Sequence, residues 1–174
     1  LLAQAPAVTP PVTGHVPETM LLWTDWLRGQ AATANVQTAL TLSHAPMTGG
    51  ECALPGPVGE SNRYKLMPRG NVLCIPATKS GLYDQISLAL SGGNTALILA
   101  DESLSTWYGR LPLAVRAKVR LVASATARPC AIVLSERDDE AFAPARTFLA
   151  HSNAPIAPAW ITRKSCPAPA FLPE

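Results

Sequence analysis

The chain has 174 residues, a formal net charge of +2 and a charged fraction of 15%. This length allows one domain with a sizeable core plus extensions, and the scattered basic residues form no stripe of the kind that binds nucleic acid. The low charge favours burial against a partner or against other parts of the same polypeptide, although an Ala- and Pro-rich composition explains it equally well.

The sequence predicts a cytoplasmic protein without a membrane span. No apolar run approaches the roughly 18 residues that a spanning helix needs, and the opening residues lack the features of a signal peptide. The four cysteines, Cys52, Cys74, Cys130 and Cys166, lie far apart and form no CxxC pair, so neither a disulfide framework nor a metal site is expected. The chain begins with Leu1 rather than Met, as expected of a segment excised from a longer polypeptide.

The first third of the chain reads as a lead-in. Residues 1–17 hold four prolines, which favours a linker or arm, and residues 18–53 predict a short helical segment. Its two helices are expected over Glu18–Gln30 and Asn35–Ser43. Met20, Trp23 and Leu27 fall on one face of the first helix, and Trp23 is expected to pack in the core.

Residues 54–162 predict the main domain, organised around one strand–helix–strand unit. Val72–Ile75 and Thr95–Ala100 are short apolar runs typical of strands covered on both faces. Between them, four residues recur at helical spacing, namely Leu82, Ile86, Ala89 and Leu90. Ser80 is expected to cap this helix, and Gly92-Gly93 to end it. The two strands should pair in parallel.

The same alternation continues after this unit. Helices are predicted over Ser103–Gly109, Pro112–Val119 and from Ser135 to about His151, strands over Leu121–Ala123, Cys130–Leu134 and Pro155–Ile161, and an irregular tail over residues 163–174. The fold class is therefore α/β, a Rossmann-like three-layer domain with a mainly parallel sheet. Ligands of such sheets bind at the carboxyl ends of the strands, here near Pro76–Ser80, Ala100–Ser103 and Ser135–Arg137.

No set of residues points to catalysis, so catalytic and metal-binding residues are predicted to be absent. His15, His44 and His151 read as surface or capping residues. The acidic cluster of Glu136, Asp138, Asp139 and Glu140 is typical of a helix start. Cys74 and Cys130 could act as nucleophiles in a small independent enzyme, but both lie within apolar runs where a thiolate is disfavoured.

A nucleotide-binding protein is the alternative interpretation. The loop Gly56–Asn62 and the helix start at Ser80 would then hold the phosphates. The loop lacks both GxGxxG and GxxxxGK followed by Ser or Thr, so a structural turn is the favoured interpretation.

The segment Gly93–Glu102, GNTALILADE, resembles the aldehyde dehydrogenase segment GNTVVLKPSE, which belongs to that superfamily's NAD-binding domain. The resemblance implies that Leu99 occupies the position of the Lys that holds the adenosine ribose. Ala100 stands where the family has the Pro that follows this Lys, and Glu102 matches the Glu that ends the family segment. Leu99 cannot donate to a ribose hydroxyl, and the family's cysteine nucleophile motif is absent, so no cofactor-binding residue is predicted here.

The segment Leu54–Tyr64, LPGPVGESNRY, together with Pro68–Cys74, PRGNVLC, resembles a signature in the C-terminal region of the long forms of proline utilisation A. That family is a bifunctional oxidoreductase with an FAD-dependent proline dehydrogenase and an NAD-dependent L-glutamate-γ-semialdehyde dehydrogenase. The resemblance covers residues 54–102 specifically and extends in pattern to about Pro158.

The resemblance implies a role for this segment within a larger enzyme. The segment would be a non-catalytic aldehyde-dehydrogenase-like domain that covers the substrate-channelling tunnel, supports assembly, or both. Its partners would be the dehydrogenase domains of the same polypeptide and further copies in a homo-oligomer, with the parent enzyme cytoplasmic or peripheral at the inner membrane. Arg163–Glu174 does not resemble the tail by which the long forms reach the dehydrogenase domain.

Overall fold

The computed structural model describes residues 14–44, 50–54, 56–65, 67–100, 104–125, 128–136, 143, 147, 150 and 159–161. The proline-rich arm up to residue 13 and the tail from residue 162 lie outside them. None of the helices in the described part of the chain is long and apolar enough to cross a membrane.

Two helices form the lead-in, as predicted. Helix α1 spans Glu18–Arg28 and helix α2 spans Thr33–His44. Helix α1 follows Pro17, whose fixed backbone geometry suits a helix start. Its apolar stripe of Met20, Trp23 and Leu27 is fully buried, so the predicted core face is confirmed.

A hairpin follows the lead-in. Strands β1 (Glu51–Leu54) and β2 (Asn62–Lys65) pair antiparallel, and the glycine-containing segment between them forms the connection, with Gly59 at φ 95°. From the sequence, the alternating residues Tyr64–Met67 predict a short strand. The structure places this strand two residues earlier, and the sequence does not predict its partner strand. Pairing with a segment about ten residues away fixes this register, and the four residues of β1 carry too short a pattern to reveal it.

The remaining strands form one five-stranded parallel sheet. They are β3 (Asn71–Ile75), β4 (Thr95–Leu99), β5 (Val119–Val122), β6 (Ile132–Ser135) and β7 (Ala159–Ile161). The order across the sheet is β5-β4-β3-β6-β7. The chain thus builds outwards from β3 to one edge and then returns to build towards the other edge. The predicted parallel α/β sheet is confirmed, and the order is that of doubly wound sheets.

Three helices connect strands on the β4 and β5 side. Helix α3 (Lys79–Ser91) joins β3 to β4, and the short helices α4 (Leu104–Gly109) and α5 (Leu113–Lys118) join β4 to β5. The predicted glycine ending of α3 is confirmed, because Gly93 has φ 70°, a left-handed conformation that side chains disfavour.

The segment between β6 and β7 differs from the prediction at its start. Ser135 is the last residue of β6 rather than the first of a helix, because it pairs with Ile75 and extends the ladder. Ala143, Thr147 and Ala150 are helical, and the rest of the predicted helix to His151 lies outside the described residues. The third layer of the domain therefore stays a prediction.

Both faces of the sheet are buried in the described part of the chain. One face, with Val72, Cys74, Ala96 and Ile98, packs in the same core cluster as residues of α1, α2 and α3. The opposite face carries the alternate strand residues, including Leu73, Ile75, Leu97 and Val133. Burial on both faces explains why β3 and β4 are continuous apolar runs. The predicted boundary between the lead-in and the main domain, at residues 53 and 54, falls inside β1. This division into domains stays a prediction.

Candidate functional site

The candidate site lies at the carboxyl edge of the sheet, where β3 leads into α3. In doubly wound sheets this edge, at the point where the strand order reverses, is the usual place for ligands. Helix α3 begins after Thr78, whose side-chain oxygen accepts a hydrogen bond from the Gly81 backbone N–H at 2.9 Å. The predicted cap at Ser80 is therefore wrong by two residues. The Ser80 hydroxyl instead accepts from the Asn35 side chain of α2 at 3.0 Å.

Glu136, the first residue after β6, occupies the region in front of this helix start. Its carboxylate accepts from the backbone N–H of Ala77 at 2.6 Å, the backbone N–H of Thr78 at 2.8 Å and the Thr78 hydroxyl at 2.8 Å. The sequence predicts a role for Glu136 at the acidic start of the following helix, whereas the structure shows that its carboxylate bonds to the residues at the start of α3. Asp138, Asp139 and Glu140 lie outside the described residues.

The Glu136 carboxylate lies at a helix N-terminus, which is a position that favours anions. A helix N-terminus carries free backbone N–H groups and partial positive charge, which is why nucleotide-binding sheets place a pyrophosphate there. Here a carboxylate of the chain itself takes that place. A Cβ atom at Gly81 would overlap the Glu136 carboxyl group, so glycine at this position makes the close approach feasible.

Leu99 ends β4 at the same edge of the sheet. It is partly buried and packs against the cluster that contains Leu73 and Leu97. Its side chain has no polar atom and offers nothing to a sugar hydroxyl. Glu102, which the sequence comparison aligned with a family residue, lies outside the described residues.

A pocket of about 510 Å³ opens beside Leu99 and the start of α3. Its lining combines apolar side chains with two cations, including Leu82, Leu99, Lys79, Tyr83, Trp107 and Arg110. This volume lies in the range typical of small-molecule sites. None of its described lining residues comes from the loop Gly56–Asn62, so the two parts of the predicted nucleotide site do not share this pocket.

Aromatic rings form the wall between the pocket and the core. The Tyr83 ring lies 5.6 Å from Trp23, 5.8 Å from Trp26 and 6.4 Å from Trp107, measured between ring centroids. Trp23 donates to the Ser87 hydroxyl at 2.9 Å, which confirms its predicted role in the core. Among the described residues, the buried Tyr83 hydroxyl and Trp107 indole N–H have no hydrogen-bond partner. Sequence reasoning missed both, because an unpaired donor is visible only in three dimensions.

Cys74 and Cys130, the two candidate nucleophiles, are buried free cysteines. Cys74 is fully buried, and burial raises the pKa of its thiol far above the ordinary value. Burial also raises the pKa of the Cys130 thiol. A thiolate is thus disfavoured at both cysteines. His15 and His44 are exposed, as expected of surface residues, and His151 lies outside the described residues.

Among the described residues, Asp84 is the one carboxylic acid whose pKa is clearly shifted from its ordinary value. Burial raises its pKa, while hydrogen bonds from Asn35 and Thr38 act in the opposite direction. The Asn35 side chain donates to the Asp84 carboxylate at 2.8 Å and joins α2 to α3. We interpret this contact as structural. The described residues contain no group of three or more His, Cys, Asp or Glu side chains able to hold a metal ion.

Comparison with known proteins links the chain to one kind of enzyme. No family model matches it. It is 38% identical over 119 residues to the bifunctional protein PutA of Rhizobium meliloti, which is 68% of this chain and 10% of that protein. It is 34% identical over 94 residues to PutA of Salmonella typhimurium, which is 53% of this chain and 7% of that protein. Over that part of its length, the chain is homologous to PutA.

Solved structures show the same likeness in the fold. A structure of proline utilization A with proline bound in remote sites has a TM-score of 0.59 and 18% identity, over 83% of this chain and 19% of that chain. A mutant form of PutA from Bradyrhizobium japonicum has a TM-score of 0.57 and 21% identity, over 81% of this chain and 19% of that chain. The chain thus spans no more than about a fifth of these proteins.

Proposed function

We propose that this chain is a non-catalytic, aldehyde-dehydrogenase-like domain of a bifunctional enzyme that oxidises proline to glutamate. Its role is to cover the tunnel between two dehydrogenase domains of the same polypeptide and to support their assembly in a homo-oligomer. FAD and NAD would act in those dehydrogenase domains and not in this one. The partial homology to PutA supports the assignment of the chain to a bifunctional parent enzyme of this kind.

The observation that carries the non-catalytic role is the Glu136 carboxylate at the start of α3. It accepts from the backbone N–H groups of Ala77 and Thr78, immediately before α3, and so lies where related sheets hold a cofactor pyrophosphate. Leu99 supports the same conclusion, because an apolar side chain stands where the resembling superfamily has a ribose-binding Lys. Together they favour a domain whose ancestral cofactor site has become part of its own structure.

The test is a coupled assay of the parent polypeptide with and without this domain. With proline, a quinone that reoxidises the FAD, and NAD as substrates, the intact enzyme should form NADH without a lag, and a reagent that traps free aldehyde should not reduce the yield. Without the domain, each dehydrogenase assayed alone should keep its rate, while the coupled reaction gains a lag and becomes sensitive to the trap. An unchanged coupled reaction would contradict the covering role.

A second candidate is a nucleotide-binding protein. It is favoured by Lys79 and Arg110 in the lining of a pocket at the carboxyl edge of the sheet. Calorimetry of the full chain with ADP and NAD separates the two candidates. Saturable binding heat would favour nucleotide binding. If the chain is the proposed structural domain, we expect no binding heat.

A further inference from the structure

We propose that Glu136 blocks a latent oxyanion site, formed by Ala77, Thr78 and Gly81 at the start of α3, that binds a phosphate-type anion once this side chain is removed. The contact is autoinhibitory, because the chain's own carboxylate excludes anions from solution. The coupled assay described above tests the covering role, whereas the experiment below tests only this site. The two proposals can therefore fail separately.

The first argument is the set of donors that the carboxylate engages. One Glu136 oxygen accepts from the backbone N–H groups of Ala77 at 2.6 Å and Thr78 at 2.8 Å, and the other accepts from the Thr78 hydroxyl at 2.8 Å. Phosphate oxygens accept the same hydrogen bonds as carboxylate oxygens, and both are favoured at a helix N-terminus. These donors therefore select for an anionic oxygen and not for a carboxylate in particular.

The second argument is the space that the carboxylate fills. A Cβ atom at Gly81 would overlap all three atoms of the Glu136 carboxyl group, so the carboxylate lies directly over this glycine. Ala77, Thr78 and Lys79 around it are exposed to solvent. Without the Glu136 side chain, the start of α3 would thus have an open space that an anion from solution can reach.

The third argument is that α3 has no second anion for this place. Its first turn contains no acidic residue. Asp84, further along the helix, is held by the Asn35 side chain of α2 at 2.8 Å. Glu136 therefore supplies the negative charge that the helix start favours. When Glu136 is absent, an oxyanion from solution is the group that can replace it.

The experiment compares Glu136→Ala with the wild-type chain in inorganic pyrophosphate and in sodium chloride of matched ionic strength. A ligand that binds only the folded chain raises Tm. At about 20 mM pyrophosphate, the Tm of Glu136→Ala should exceed its value in chloride by about 3 °C or more. Calorimetry should give one site per chain with a dissociation constant of about 2 mM or lower. The wild type should show neither effect.

Two further variants locate the binding. Glu60→Ala removes the same charge from an exposed position between β1 and β2, so it should respond to pyrophosphate as the wild type does. Adding Gly81→Ala to Glu136→Ala places a methyl group where the carboxylate lay. This double variant should lose the response to pyrophosphate, because the new methyl group fills the site.

Three results would overturn the proposal. The first is an equal response to pyrophosphate in Glu136→Ala and Glu60→Ala, which would reduce the effect to net charge. The second is an undiminished response in the double variant, which would place the anion elsewhere. The third is saturable binding by the wild type, which would show that Glu136 blocks nothing.

The proposal stays testable if Glu136→Ala is unfolded in chloride. Pyrophosphate should then restore its folded circular dichroism spectrum, because the anion takes over the hydrogen bonds that Glu136 made. Failure of pyrophosphate to restore folding, or to raise the Tm of a folded variant, would also contradict the proposal.

Discussion

Glu136 and Gly81 depend on each other, although 55 positions separate them in the sequence. The carboxylate reaches the amide groups at the start of α3 only because residue 81 has no side chain. Either residue alone looks ordinary, one as a surface acid and the other as a glycine that weakens a helix. Their complementarity arises because β3 and β6 are neighbours in the sheet.

The first prediction concerns this pair. Gly81→Ala and Glu136→Ala should each lower the free energy of unfolding by about 1–3 kcal/mol, since either change removes the same hydrogen bonds to a charged acceptor. The double variant should be no less stable than Glu136→Ala, because the new methyl group then has space and Ala is the better helix former. Urea denaturation measures all three.

Gly109→Ala is the control for the glycine change, since nothing lies within 4 Å of a Cβ atom at that position. It should leave stability nearly unchanged. Strictly additive costs for Gly81→Ala and Glu136→Ala would show that the two residues do not interact.

At the scale of single elements, α3 is the helix on which the site is built. The sequence alone predicts its apolar stripe, and the structure buries that stripe and nearly everything else from Gly81 to Ser91. The cap could not be chosen from the sequence, because Thr78 and Ser80 both carry a hydroxyl that suits an N-cap. The choice depends on where β3 ends and on the position of Glu136.

The second prediction distinguishes these two candidate caps. Thr78→Ala should cost about 1 kcal/mol or more, because it removes the oxygen that accepts from the Gly81 N–H. Ser80→Ala should cost about 0.5 kcal/mol or less, since Asn35 keeps the Ser80 carbonyl and the Asp84 carboxylate as acceptors. Thermal unfolding shows which of the two alanine variants loses more stability. Thr78→Ser, which keeps the oxygen, should be about as stable as the wild type. The reverse order would support Ser80 as the cap.

On the scale of the whole molecule, the lead-in helices belong to the core of the sheet domain. Met20, Trp23 and Leu27 of α1 join the same buried cluster as Val72 and Ile98 of the sheet. The sequence separates the lead-in from residues 54–162 by composition, but composition does not show which surfaces pack together. The packing suggests that both parts unfold as one cooperative unit.

The third prediction tests this cooperativity with one substitution at two positions of α1. Leu27 is fully buried, whereas Leu21 is 50% exposed. Leu27→Ala should lower the free energy of unfolding by about 2–5 kcal/mol, and Leu21→Ala by only about 0.5 kcal/mol. Calorimetry of Leu27→Ala should show one transition at a lower temperature. Two separate transitions would mean that the lead-in is an independent unit.

The sequence by itself determined the elements with strong local patterns. The continuous apolar runs of β3, β4 and β6, the helical spacing in α1 and α3, and the glycines that end α3 all follow from side-chain periodicity and backbone sterics. These signals lie within a few residues of one another, so they need no knowledge of the rest of the chain. The same is true of Leu99, whose lack of polar atoms is plain from its identity.

Only the tertiary structure decided the strand order, the pairing of β1 with β2, the Glu136 contact and the pocket beside α3. Each depends on residues that are distant in sequence and are brought together by packing. Strand order in particular places β6 beside β3, and that neighbourhood puts a carboxylate where related sheets hold a phosphate. Local propensity carries no information about which distant residues meet, and for that reason the site could not be read from the sequence.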